Sequence, residues 1–297
     1  MSINLTIPIS RPPRTVPLST RLVVLFGGTF SAFGWFFFGF GMIFVWIFGG
    51  KGDYTSAFMM RGALETVPAV VTGVQNTKFS EGGSKHSSGT PIYAYHYKFQ
   101  SGGTDYDGTS YRLGQGNGRE GDETTVEFPA GKPGYSRIKG MRRGMFSPMV
   151  AMVFLFPAVG LTLVLPAFFQ GWKSIRLLKN GETAQGTLIK KEPTNVKVNN
   201  QTVYKLTFEF TDRMGQTRQA IAKTYLPEKL EANRSELLFY NPNNSTSSTL
   251  LDNLPGKQAL TERGEFQPCG FKAAIGAVIA PFGALVVVVG GLLVKLF

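Results

Sequence analysis

The sequence predicts a membrane α plus all-β protein, with three transmembrane helices and two repeated small β-barrel or β-sandwich domains. Three observations carry this expectation. Hydrophobic residues make up 43% of the chain and charged residues 17%, with 25 Phe, a balance too apolar for an ordinary soluble protein. Three uncharged runs, residues 22–48, 144–172 and 273–294, each supply the ~20 apolar residues that a bilayer-crossing helix needs. Between them lie two water-compatible stretches in which apolar and polar residues alternate, the period of half-buried strands.

Taken in order, residues 1–21 form a basic, Pro-rich N-terminal arm. Pro8, Pro12, Pro13 and Pro17 forbid a regular helix, and no acid balances Arg11, Arg14 and Arg21. Two readings stand for it: a disordered tail, or a basic flank that orients the next segment or lies extended on a partner. Residues 22–48 read as transmembrane helix 1, roughly 40 Å long if continuous. The run is too long for a secretory h-region and continues into Gly49-Gly50-Lys51, so it is read as uncleaved. Gly34 and Gly39 are candidate helix-packing positions, because glycine lets two backbones approach closely. Trp46 is a candidate interfacial anchor.

Residues 51–143 form the first β-domain. A short amphipathic helix at residues 54–64 precedes strands around Val70–Phe79, Ile92–Phe99, Tyr106–Leu113 and Thr124–Phe128. The connections at residues 80–90 and 114–121 are rich in Gly and Ser, as hairpin tips are. Residues 144–172 are transmembrane helix 2, with Trp172 as the second candidate anchor. Length favours a single crossing, while Pro148, Pro157 and Pro166 leave a re-entrant shape open.

Residues 173–267 form the second β-domain. It opens on a short interfacial helix at residues 173–179, followed by strands at 184–190, 203–210, 218–225 and 236–240. Residues 271–296 are transmembrane helix 3. There Gly276, Ala280 and Ala284 recur every four residues and offer a smooth packing face, and Pro281 is a candidate kink.

The two β-domains align with each other. Ile92, Tyr93, Tyr95, Tyr97 and Phe99 match Val203, Tyr204, Leu206, Phe208 and Phe210. Gly103 matches Gly215, Val126–Phe128 match Leu238–Tyr240, and Ser136-Arg137-Ile138 match Ser248-Thr249-Leu250. The spacing stays at about 111 to 115 residues, which indicates a duplication. The second copy carries Gly181-Glu182-Thr183-Ala184-Gln185-Gly186, then Phe208-Glu209-Phe210-Thr211-Asp212, then Tyr240-Asn241-Pro242-Asn243-Asn244. In these motifs the chain resembles the DUF3592 family, membrane-anchored β-domain proteins of unknown function. In the first copy Phe128-Pro129-Ala130-Gly131-Lys132-Pro133 replaces the Asn-Pro turn. The resemblance implies two tandem small β-barrels or sandwiches and brings no catalytic or binding residues.

The chemistry-bearing residues are sparse. Cys269 is the single cysteine, so neither an intramolecular disulfide nor a multi-cysteine metal site is open to this chain. It reads as a bland buried thiol, with lipid attachment as the alternative. His86 and His96 read as solvated, as do Asp105 and Asp107. The stripe Tyr93, Tyr95, Tyr97 reads as core in preference to a stacking platform, because the alternation recurs in the second copy. No nucleophile elbow, phosphate-binding loop or zinc motif is present, and the spans hold no ionisable residue. The expectation is therefore no catalytic activity, no cofactor and no metal.

The net charge of +12 points to anionic lipid before nucleic acid, given the spans. The expected role is a structural, assembly or scaffold subunit of a membrane complex, with the bilayer and other membrane subunits or a second copy as partners. The alternative is a membrane-tethered binding or sensor module whose β-domain takes an anionic or polymeric ligand. The expected location is a bacterial inner membrane, crossed three times, with the β-domains on opposite sides. The positive flanks hardly differ between the two orientations, and the acid-free arm places the N-terminus in the cytoplasm.

Overall fold

The computed structural model describes residues 9–83, 88–231 and 235–296. The helices are α1 (Leu18–Phe26), α2 (Thr29–Ile47), α3 (Tyr54–Met59), α4 (Leu155–Asn180), α5 (Glu228–Glu231) and α6 (Phe271–Leu296). The strands are β1 (Leu64–Glu81), β2 (Thr90–Ser101), β3 (Thr104–Leu113), β4 (Glu123–Pro129) and β5 (Arg137–Ile138), then β6 (Glu182–Val198), β7 (Gln201–Thr211), β8 (Thr217–Thr224), β9 (Ser235–Asn241) and β10 (Asn244–Leu250). Among the described residues, three helical segments are long and apolar enough to cross a membrane: Thr29–Lys51, Pro148–Asn180 and Phe271–Lys295. The chain divides into two units, Gly41–Phe156 and Met1–Phe40 with Pro157–Phe297.

Three expectations need correction. Residues 22–48 are not one helix. α1 ends at Phe26, Gly27 is extended, and Gly28 turns the chain at φ 91° before α2 starts at Thr29. Only glycine takes that φ without strain, and a hydropathy run does not register such a break. Residues 173–179 are not a separate interfacial helix. They are the last turns of α4, which runs unbroken to Asn180 through Pro166, so this segment does not double back. The arm is not a disordered tail over its described part, residues 9–17. It packs on this chain, with Val16 buried among Val24, Leu177, Leu178, Phe239, Leu251, Leu254 and Phe266.

In the unit Gly41–Phe156, α3 is shorter than expected. It starts on the Asp53 carboxylate, which accepts from the Ser56 N–H. The five strands form an antiparallel sheet in the order β3-β2-β1-β4-β5. Its open edges are drawn together, since Tyr111 and the Arg142 backbone exchange two hydrogen bonds of 2.7 and 2.9 Å. Ile138 N–H also donates 2.8 Å to the Ser110 hydroxyl, tying β5 to β3. The Glu81 carboxylate, at the end of β1, takes hydrogen bonds from Arg142 and from the Ser147 N–H. Val71, Tyr95, Tyr97, Phe99, Val126, Phe128 and Ile138 fill the interior.

In the other unit, five strands form a second antiparallel sheet, in the order β10-β9-β6-β7-β8. Taken in chain order, this is the same arrangement. The registers agree residue by residue: Val71 pairs with Tyr97 as Leu188 pairs with Phe208, and Val126 pairs with Ile138 as Leu238 pairs with Leu250. Even the irregularities coincide. β1 slips between Val71/Gly73 and between Asn76/Ser80, and β6 slips between Leu188/Lys190 and between Pro193/Lys197. At the second slip one threonine side chain repairs the ladder in each sheet. Thr77 Oγ1 donates 2.8 Å to the Ile92 carbonyl, and Thr194 Oγ1 donates 2.7 Å to that of Val203. The core here is Leu206, Phe208, Phe210, Leu238, Tyr240 and Leu250, with Leu230 of α5 entering it from the β8–β9 connection.

Candidate functional site

The last turns of α4 carry two faces. Gly171, Ser174, Leu177 and Leu178 are buried. Ser174 Oγ lies 3.2 Å from Thr249 Oγ1 of β10, and Leu178 sits fully buried in the cluster with Phe239 of β9. This face fastens the helix to the sheet. The other face presents Phe169, Trp172, Lys173, Arg176 and Asn180 at helical spacing. Together with Gly181, Asn241, Pro242 and Ser247 they line a cleft of about 500 Å³. Its far wall is the β9–β10 turn, where Asn241 Oδ1 accepts from the Asn243 N–H at 3.0 Å.

Lys173 and Arg176 are exposed, and neither takes part in an ion pair among the described residues. Trp172 is 56% exposed and Phe169 65%. The cleft thus combines two free cations with an aromatic rim at the end of a membrane-length helix. The floor at Gly181 admits no side chain, since a Cβ would come within 2.6 Å of the Leu177 carbonyl oxygen and 2.8 Å of that of Tyr240.

Beside the cleft, the arm delivers Arg14. Its Nη1 donates to the carbonyls of Gly181 at 2.7 Å and Leu178 at 3.3 Å, and its Nε donates to Ser10 at 2.6 Å. Its own N–H donates 2.7 Å to the Lys179 carbonyl, and the guanidinium lies 5.2 Å from the centre of the Phe239 ring. A helix C-terminus leaves its last carbonyls unpaired and carries the negative end of the dipole, so a cation there satisfies both. Arg14 is 5% exposed, and burial holds its pKa below the ordinary value. No carboxylate pairs with it among the described residues; carbonyl dipoles and a ring face compensate its charge.

The sequence-expected packing positions divide. At Gly34 an added Cβ would lie 2.9 Å from Leu163 Cβ and 3.1 Å from the Gly160 carbonyl, so α2 crosses α4 there. At Gly39 it would lie 2.9 Å from the Ala284 Cα, which brings α2 against α6. Ala284 is buried and Ala280 half-buried. At Gly276 a Cβ meets nothing of this chain within 4 Å, while the adjacent Ala277 is 8% exposed. Two glycines of α4 went unread. A Cβ on Gly160 would stand 2.5 Å from the Phe38 N, and one on Gly171 would stand 2.6 Å from the Val24 carbonyl oxygen of α1. The signal for Gly160 is a glycine within an apolar run, whereas Gly171, between Gln170 and Trp172, carries none. Of the two anchors, Trp46 is half-buried and Trp172 lines the cleft.

Among the described residues, the other candidates do not line the cleft. Tyr95 and Tyr97 are buried, with Gly116 N–H donating 2.9 Å to the Tyr95 hydroxyl. His96 is exposed and pairs across the sheet with Thr109 at 3.0 Å. His86 lies outside the described residues. Asp105 and Asp107 are exposed. Cys269 is half-buried, its Sγ 3.5 Å from Gln258 Oε1 and 3.6 Å from Thr20 Oγ1. Among the described residues no cluster of three His, Cys, Asp or Glu side chains could hold a metal ion.

No family model matches the chain, and no curated protein matches it. Among solved structures, a chain of a replication protein A heterotrimer bound to single-stranded DNA aligns over 75% of this chain and 53% of its own length. The identity is 10% and the TM-score 0.16, so the likeness carries no argument.

Proposed function

We propose that this chain is a non-catalytic scaffold of a membrane complex, built of small β-barrels and packed helices. The observation that carries the reading is the Arg14 clamp with the apolar cluster around it. Arm, α1, α4, β9 and the segment before α6 share one core, which is the construction of a rigid mount. Close glycine contacts of α2 with α4 and α6 extend that rigidity along the spans. The matching registers support a duplication. The ring β1-β2-β3-β5-β4, drawn together by the Tyr111–Arg142 bonds, has the strand order of the OB barrel. The motifs at residues 181–186 and 240–244 support membership of the DUF3592 family.

The location we propose is a bacterial inner membrane with the N-terminus in the cytoplasm. Its support is that Arg14 sits on the end of α4, while Thr20 accepts from the Cys269 N–H at 3.3 Å, just ahead of α6. The arm and both span ends therefore share one side, and the arm brings Arg11, Arg14 and Arg21 there with no acid. The deciding experiment is purification in mild detergent with mass determination by light scattering. A homo-oligomer or a stoichiometric membrane partner is expected, and a lone monomer in every mild detergent overturns the scaffold reading. The cleft favours a second reading, a tethered module that binds an anionic ligand.

A further inference from the structure

We infer that the cleft at the end of α4 is a binding site for an anionic phospholipid, its phosphate held by Lys173 and Arg176 and its acyl chains laid along the outward face of α4. The inference rests on the second reading above and is independent of the scaffold.

The head-group end is argued from charge and space. Two exposed cations one turn apart face a cleft of about 500 Å³, large enough for a phosphate with its glycerol and a small polar substituent. The end of α4 brings a partial negative charge of about half a unit, which opposes an anion. Lys173 and Arg176 bring two whole positive charges, and Lys179 adds a third on the next turn, so the balance favours the anion. Asn180 beside the cations, and Asn241 and Ser247 on the opposite wall, supply neutral donors and acceptors, as a glycerol or sugar head group needs.

The tail end argues for lipid over a free phosphate. From the cleft an exposed stripe runs back down α4 through Phe169, Pro166, Thr162 and Val159, at spacings of three and four, along the bilayer-length part of the helix. Trp172 stands where stripe and cleft meet, the depth at which an indole ring prefers to sit. A soluble anion would use the two cations and leave the stripe idle, whereas a phospholipid uses both.

The test uses the full chain reconstituted in vesicles. Trp172 fluorescence, isolated by subtraction of a Trp172→Phe variant, is quenched by brominated phosphatidylglycerol or brominated phosphatidylcholine. The expected result is stronger quenching by the anionic lipid, with its apparent affinity about 10- to 30-fold weaker in Lys173→Gln/Arg176→Gln, on the scale of roughly a factor of five per cation at a membrane surface. Equal quenching by the two lipids with wild-type protein overturns the inference without recourse to any variant. Loss of the preference on adding soluble glycerophosphate overturns it as well, by assigning the cations to a free phosphate. The mass in detergent, measured on the same samples, reports separately on the scaffold.

Discussion

The phenol hydroxyl of Tyr97 occupies the space that a Cβ on its cross-strand partner Gly108 would need. In the second sheet the equivalent pair is Phe208 and Ala220: the hydroxyl is gone and the Cβ is present. Each sheet fills the same volume with a different division between the two strands. Gly108→Ala in the native background should therefore cost about 1–3 kcal/mol by overpacking. Tyr97→Phe alone should cost about 1 kcal/mol, through the lost 3.0 Å hydrogen bond to Ser136. The double variant, which copies the second sheet, should recover most of the loss, with a coupling energy of about 1 kcal/mol or more in a thermal-unfolding cycle. Additive effects would show that the volumes are not shared.

Arg14→Ala should remove about 1.5–3 kcal/mol from the unit that holds the second sheet, because carbonyls at the end of α4 then lose a charged donor. Arg14→Lys should recover only part of this, since an ammonium does not reproduce the planar fork that reaches Ser10, Leu178 and Gly181 together. Thermal denaturation in detergent reads both. An unchanged melting temperature in Arg14→Ala would remove the clamp.

Bulk at the helix crossings should separate two kinds of glycine. Gly160→Leu and Gly39→Leu place side chains against the Phe38 and Ala284 backbones and should lower the yield of folded, monodisperse protein. Gly276→Leu points into open space and should be nearly neutral. Size-exclusion profiles of the three variants, side by side, make the comparison.

The carboxyl of Glu236 in β9 is 3% exposed, and burial with the neighbouring Asp252 raises its pKa to about 8. An unfolded chain releases that proton near pH 4.5, so folding holds a proton that the unfolded state has lost. This contribution is complete below about pH 4.5 and disappears as pH rises to about 8. Melting temperature should fall across that interval, and Glu236→Gln should flatten the slope and raise stability at pH 8. A variant with the wild-type slope would place the titration elsewhere.

Replacing Cys269 with Ser and placing a cysteine at Asn199, in the two-residue turn between β6 and β7, tests the orientation. With the N-terminus in the cytoplasm, a membrane-impermeant maleimide should leave this cysteine unlabelled in intact cells and label it after permeabilisation. Labelling of intact cells would reverse the proposed orientation.

Much of the fold was legible because alternation is a local signal. Ile92 to Phe99 and Val203 to Phe210 announce β2 and β7 within eight residues each. The two-residue β5 and the polar β10 carry no such period and were visible only through the match of Ser136–Ile138 with Ser248–Leu250. The cleft was half visible: Trp172, Lys173 and Arg176 stood out, but read as an interfacial helix of their own they had no facing wall. Asn241 and Pro242 supply that wall from more than sixty positions away along the chain. The arm was least legible. An extended proline-rich segment has no period, and the meaning of Arg14 resides wholly in Leu178, Gly181 and Phe239, which the topology alone brings to it.

The clamp also sets an order of assembly. Ser10 donates its hydroxyl to the Gly264 carbonyl at 3.1 Å, and Arg14 waits for Gly181 and Phe239. A ribosome makes the arm early and its seat late, after the α2 and α4 segments have already emerged. In the proposed membrane arrangement the first apolar helix enters the bilayer while its flank is still unfastened, and the arm closes over the finished sheet as a latch. A nascent chain arrested before Gly181 would leave residues 9–17 open to protease, and release of the full chain would close them off.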